Sequence, residues 1–575
     1  MPSDSPAAKA KTPAASAKQA SPESNVKETV ESILVAFILA FIFRAFVVEA
    51  FVIPTGSMAP TLMGAHMRFR CPDCGYQFDV NFSNGNTSDD VDIPNYALSM
   101  GGDPLTYKEI HCPNCGRDIP VVNPADPDND GTVPPVYYGD RILVLKYLYL
   151  FQAPHRWDVV VFKAPVDRAK TNYAENYIKR LVGLPGETIV ILDGDVYVLD
   201  PVSHEYKIQR KPYSVQRDLW RIVYDNDFIP QSMPSGGVPG QPRSTSKPWQ
   251  QPWTPESQAS GWTLTTNGPD GKPLPGPDKN PSRVFTFKSD GAGSLKFNAS
   301  ANPDTHALTD WLPYDQLGNR SMLNSVSDLR LNCFYERRAG SGAFSMELTK
   351  LGDHFTAEIT PGRARLLDER DGKTTTLFDV PVADLNGTRP AQIEFANCDY
   401  RVWLRVNDKE VFQTTDDQYH PNVAYLLDNW ERDMPAPTVR LMAENQECRI
   451  EHLSLWHDIY YINHGDSRII WATPNVPDSG VGGPMVLKSN PKEYFVMGDN
   501  SPISGDARMW TEDVHLPAEM LDVQAGRVPE EFMLGKAFFV YWPAGYRPFS
   551  KNFAWKHPVP NPGIIPDFGD MRSIH

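Results

Sequence analysis

WDVVVFKAP (residues 157–165) and ETIVILDGDVYVL (187–199) decide the fold class. Both are runs of Val, Ile and Tyr closed off by Pro, Asp or Gly, the pattern of short strands and hairpins. DRILVLKYLYLF (140–151) and FMLGKAFFVYWP (532–543) have the same character, and helical periodicity is scarce elsewhere. Past Ser57 the chain is therefore expected to be mainly β.

A chain of 575 residues exceeds what one hydrophobic core usually holds, so several domains are expected. A net charge of −16 argues against nucleic acid as a partner, because phosphate contacts need clustered Lys and Arg. The 53 prolines predict long irregular connections.

Residues 1–27 are dominated by Ala, Lys, Pro and Ser and are expected to form a disordered tail. Residues 28–50 follow as a helix-length segment in which Ile33 to Phe43 is uninterrupted apolar sequence. That run is short of the ~20 apolar residues of a full span, with Arg44 placed to snorkel towards headgroups. The segment is expected to be a transmembrane helix; a buried core helix and a cleaved signal peptide are the alternatives. The second of these fits poorly with the long polar tail and the lack of a small-x-small site soon after the run. Lys9, Lys11, Lys18 and Lys27 precede the segment. By the positive-inside rule the N-terminus stays cytoplasmic, and the rest lies outside the plasma (inner) membrane, extracytoplasmic or periplasmic.

Two stretches look foreign to the core. In residues 71–115, CPDCGYQF and HCPNCGRDI place Cys71, Cys74, Cys112 and Cys115 at the spacing of a zinc ribbon. Four thiolates leave no open position, so such a zinc is structural; disulfides are the alternative in an oxidising compartment. His111 reads as a bystander. The second stretch opens with a Pro/Gly/Ser-rich linker (225–283). It continues as alternating segments such as HFTAEITPGRARLLDE and AQIEFANCDYRVWLRVNDKEVFQ, expected to form an antiparallel β-sandwich over 284–460. The pattern resembles concanavalin-like domains, some of which bind glycans or proteins; a structural spacer fits equally. Cys333, Cys398 and Cys448 read as buried thiols, with one disulfide left open.

FVIPTGSMAPTL (51–62) places Ser57 just beyond the apolar segment, and a serine hydroxyl needs a base before it is a nucleophile. None of the thirteen histidines stands in a triad-like context. In NYIKRLVGLPGE (176–187), Lys179 sits among Ile178, Leu181 and Val182, where desolvation would free a neutral amine. Taken in order, IPTGSMAPTL, YGDRILVLK, YIKRLVGLPGE, VMGDNSPISGDAR (496–508) and LGKAFFVYWP resemble the signature boxes of the type I signal peptidases, which use a Ser/Lys dyad.

That resemblance implies a membrane-anchored serine endopeptidase acting without a catalytic cofactor. Ser57 would be the nucleophile and Lys179 the general base, with the Ser57 N–H and the Thr55 hydroxyl as oxyanion hole. Ser504 would orient the lysine. Asp506 and Arg508 would form a supporting ion pair, and Asp499 and Asn500 would shape the loop. Ala507 stands where serine is frequent in the family. Ile53, Pro54, Met58, Leu62, Tyr177 and Ile178 would line shallow pockets for small side chains of A-x-A sites in secretory preproteins. The resemblance also implies a β-barrel or β-sheet catalytic core comprising residues 51–70, 116–224 and 461–575, with membrane lipid as a further partner. A relative restricted to a few exported substrates, or a non-catalytic scaffold on a dead core whose sandwich binds glycan or protein, are the competing readings.

Overall fold

The computed structural model describes residues 22–46, 48–71, 73–81, 99–100, 103–104, 110–119, 136–137, 139–165, 175–230, 249–257, 260–265, 284–316, 323–383, 385, 389–430, 432–462, 471–473, 482–516, 521–543 and 568–575. Over these residues the protein is mainly β.

The central sheet runs Val48–Val52, Arg141–Leu145, Met533–Trp542, Val159–Lys163, Asn176–Gly183, Glu493–Met497 and Val528–Pro529, with Arg572–Ser573 added beside Met533–Trp542. All neighbours pair antiparallel. WDVVVFKAP reads as a continuous apolar run because its strand is covered on both faces. Val159 and Val161 pack into one core cluster, and Val160 and Phe162 into another. ETIVILDGDVYVL is the expected hairpin: Leu192 pairs with Asp195 across Asp193 and Gly194, both at positive φ. It belongs to a separate four-stranded sheet with Tyr206–Ile208 and Met485–Val486.

A 13-stranded antiparallel sheet holds the second insert, with the long strands Val284–Phe297, Leu329–Gly340 and Val439–His457 as its spine. Alternate residues of Leu329–Gly340 (Leu329, Leu331, Cys333, Tyr335) enter one large core, the period-2 burial expected of its alternating sequence. Val190, Leu192 and Tyr197 of the hairpin enter the same core, joining the insert to the central part of the chain. Buried charges reinforce that junction. Lys211 bonds Asp399 and lies 2.9 Å from Asp458, while Lys350 bonds Asp328 and lies 3.4 Å from Asp195.

Several expectations need correction. The N-terminal helix spans Pro22–Phe46, beginning inside the supposed tail, and Val48–Val52, whose first three residues were expected to end the helix, is the edge strand of the central sheet. Residues 1–21 lie outside the described residues. DRILVLKYLYLF is strand only to Leu145; Leu148–Phe151 is a helical turn that leaves Leu150 80% and Phe151 82% exposed. The linker contains strands: Trp253–Pro255 and Trp262–Thr265 pair with Val284–Phe297, because Trp253 and Trp262 supply core aromatics amid the prolines. Arg221–Asp225 also pairs with Val439–His457, so the insert's sheet begins earlier than expected. Residues 231–248 and 266–283 of that linker lie outside the described residues. Cys333, Cys398 and Cys448 are buried free thiols, and no disulfide links them.

Candidate active site

Ser57 lies in the short helical turn Gly56–Met58, and Lys179 lies in the strand Asn176–Gly183, where it pairs across to Val160. The Lys179 Nζ donates to Ser57 Oγ at 2.6 Å. Lys179 is only 4% exposed, and burial pushes its pKa down from 10.5 to about 8. Asp506 and Asp499 pull it upward and Arg508 adds a smaller downward push. Desolvation prevails because an ammonium loses more hydration in the core than two nearby carboxylates, each paired with an arginine, return.

The loop from Gly498 to Arg508 supports this pair. Asp506 and Arg508 form the expected buried ion pair, with Nε–Oδ1 at 2.9 Å and a second contact at 2.7 Å. Arg508 continues to the Ile462 and Ser501 carbonyls and the Ser501 hydroxyl, and Asp506 also accepts from the Gly498 N–H at 2.8 Å. Burial pushes the Asp506 carboxyl up, but Arg508 outweighs it and holds the group below its ordinary value. Ala507 is fully buried.

Asn500 grips the nucleophile turn directly: its N–H donates to Ser57 O at 3.1 Å and its Nδ2 to Gly56 O at 3.1 Å. Asp499 shapes the loop through a partner the sequence reading missed. Arg180 donates to both its oxygens at 2.7 Å, wholly buried, and also to the Trp157 and His575 carbonyls. A cation beside Lys179 in an apolar strand was the available signal, because a buried guanidinium demands an acid.

Ser504 is placed differently from expectation. It is buried beside Gly498, but its Oγ makes no hydrogen bond among the described residues, so it does not hold the lysine amine. Gly498 is another residue the reading missed. A Cβ there would fall 2.2 Å from Ser504 Oγ and 2.3 Å from Ser57 O, so only glycine permits this approach. Thr55 precedes the turn in extended conformation and caps nothing with its side chain. Of the supposed pocket residues, Ile53, Met58 and Leu62 are core, packed with Ile142, Val144, Val159 and Val161. Leu62 is fully buried and cannot line an open pocket; Pro54, Tyr177 and Ile178 remain half-buried at the surface.

The four cysteines expected to hold metal converge. Cys71 and Cys115 Sγ lie 3.6 Å apart, and Cys74 and Cys112 Sγ 3.5 Å apart, with all four buried. Each knuckle closes with the same turn: Gly75 N–H to Cys71 O at 2.9 Å, and Gly116 N–H to Cys112 O at 2.8 Å. A tetrahedral zinc with Zn–S of about 2.3 Å requires sulfur separations of roughly 3.8 Å, so the set fits that ion. His111 is not among the clustered ligands.

Comparison with known proteins matches residues 26–78, 120–234 and 472–542 to the family described as signal peptidase, peptidase S26. The chain is 34% identical over 104 residues to the probable signal peptidase I-2 of Synechocystis sp., covering 16% of this chain and 45% of that one. Against signal peptidase I of Leptolyngbya laminosa it is 32% identical over 107 residues, 17% of this chain and 52% of that one. Against signal peptidase I of Rickettsia typhi it is 26% identical over 175 residues, 30% of this chain and 44% of that one. The chain thus spans about half the length of these curated relatives. Among solved structures, a carbohydrate-binding module, CBM66 from Bacillus subtilis, aligns with 34% of the chain and 95% of its own length at 8% identity and a TM-score of 0.20, too slight a likeness to carry an argument.

Proposed function

We propose that this chain, a relative of the type I signal peptidases through its three S26 segments, is a serine endopeptidase that removes signal peptides from exported preproteins with a Ser57/Lys179 dyad. The observation that carries the reading is the 2.6 Å contact between Ser57 Oγ and an amine whose pKa burial lowers to about 8. Ser57 Oγ attacks the scissile carbonyl and its proton passes to Lys179 Nζ. The resulting oxyanion is met by the Ser57 N–H and the Thr55 hydroxyl, and collapse expels the amine, which takes the proton from Lys179. Lys179 then deprotonates the water that hydrolyses the acyl-enzyme. Half-buried Pro54, Tyr177 and Ile178 border the site, in keeping with small residues at A-x-A sites.

The enzyme works at a membrane surface in this reading. Among the described residues no helix is long and apolar enough to cross a membrane. Leu34, Val35, Phe37, Ile38 and Leu39 of the N-terminal helix nevertheless stay 54–60% exposed. The turn Leu148–Phe151 follows Leu145, which pairs with Val48, so exposed Leu150 and Phe151 emerge at the sheet end where that helix joins. Two apolar features at one end suit insertion into lipid, with the N-terminal side cytoplasmic. Cys71, Cys74, Cys112 and Cys115 would hold a structural zinc, and the 13-stranded insert would be a concanavalin-like module.

The test is cleavage of an A-x-A preprotein by the full chain in detergent. Wild type should cut at the signal junction, and Ser57→Ala and Lys179→Ala should each lose at least a thousandfold. Cleavage persisting in both variants removes the dyad.

A further inference from the structure

The nucleophile turn is held from a side that the S26 segments do not supply. Gly56–Met58 is three residues long with no side-chain cap, so its own bonds restrain it weakly. Asn500 Nδ2 is shared between Gly56 O at 3.1 Å and Asp315 Oδ1 at 2.9 Å. Asp315 belongs to the turn Pro313–Asp315 of the large insert. From the same turn, the buried Tyr314 ring covers Gly56 so closely that a Cβ at 56 would stand 2.3 Å from Tyr314 Cε1. Gln316, next along, exchanges two hydrogen bonds with the His111 main chain, at 2.5 and 3.0 Å, beside Cys112. Residues 111–112 and 313–316 all lie outside the matched segments, yet they converge on the turn that carries Ser57.

We propose that the Pro313–Asp315 turn is a positioning element for the nucleophile: Asp315, through Asn500, and Tyr314, against Gly56, set the backbone conformation that brings Ser57 Oγ to Lys179. A glycine at 56 leaves that backbone many conformations. The ring walls off Gly56, and the Asp315 oxygen fixes the Asn500 side-chain amide that bonds Gly56 O. Misplacing a reacting atom by about 1 Å can cost ~10²-fold in rate. The insert is therefore part of the catalytic framework, and the His111–Gln316 contact ties the cysteine ribbon to it. The catalytic consequence rests on the peptidase reading; the positioning itself does not.

The test compares full-length wild type, Asp315→Ala and Asp315→Asn in detergent by two measurements. Hydrogen–deuterium exchange of the peptide covering residues 52–63 should quicken at least tenfold in Asp315→Ala, with the core strands unchanged. In preprotein cleavage, Asp315→Ala should lose about ten- to a hundredfold in kcat, with KM within twofold. Asp315→Asn, which keeps an acceptor oxygen, should stay within threefold of wild type in both measurements. Wild-type exchange in the 52–63 peptide of Asp315→Ala overturns the proposal, as does an Asn variant no better than Ala. If Asp315→Ala does not fold, Tyr314→Leu takes its place with the same expected exchange and kcat changes. A wild type that cleaves nothing defeats the peptidase reading, and the exchange measurement then decides positioning alone.

Discussion

Lys179→Met should make the protein more stable at neutral pH while abolishing its activity. The amine's fall from 10.5 to about 8 corresponds to about 3 kcal/mol, at ~1.36 kcal/mol per pH unit. An unfolded lysine keeps its proton up to about pH 10.5, whereas the folded one releases it near 8. Between those limits the unfolded chain binds more protons, so stability rises with pH across the window. The destabilisation is complete below about pH 8 and gone above about 10.5. Methionine fills a similar volume without charge and forfeits the hydrogen bond to Ser57, worth ~1 kcal/mol. The variant should therefore gain roughly 2 kcal/mol at pH 7 and lose about 1 kcal/mol above about pH 10.5, where the unfolded lysine is neutral as well. Scanning calorimetry of both proteins at pH 7 and above pH 10, in the same detergent, reads the crossover. The wild-type rate carries the other half of the prediction: kcat/KM should climb about tenfold per pH unit up to about 8 and then level. A variant melting below wild type at pH 7, or a rate flat from about pH 6 to 9, refutes the buried neutral amine as base.

Three further outcomes are open to measurement. Purified protein should carry about one zinc per chain and lose it on Cys71→Ser, as elemental analysis will read; metal-free protein with two disulfides would reverse that assignment. Asp499→Asn should destabilise the core by roughly 3–5 kcal/mol in urea titrations, because it strands the buried Arg180 guanidinium; an unchanged midpoint would mean Arg180 finds other partners. Leu150→Asp with Phe151→Asp should weaken co-flotation with phospholipid vesicles once residues 22–46 are removed. Equal flotation with and without these aspartates would take the turn off the membrane surface.

What could be read in advance was local. The strands Val159–Lys163 and Asn176–Gly183, the Asp193–Gly194 hairpin and both cysteine knuckles declare themselves within a few residues, through periodicity, turn chemistry and ligand spacing. Misreadings arose where composition and burial parted. Trp253 and Trp262 were hidden among prolines yet belong to a core, and Leu150 and Phe151 continued an apolar run yet point outward. Ser504 stood in the right box, but its hydroxyl faces no partner among the described residues.

Alone, the amino-acid sequence determined which groups could do chemistry: a hydroxyl, a lysine in an apolar strand, an acid-and-arginine loop and four thiols. Only the tertiary structure decided which of them meet. Lys179 is 122 residues from Ser57, Asp499 is 319 from Arg180, and Asp315 reaches Asn500 across 185. Such meetings are set by sheet order and by how the inserts pack, and desolvation, which lowers the Lys179 pKa, exists only once those elements have closed around the amine.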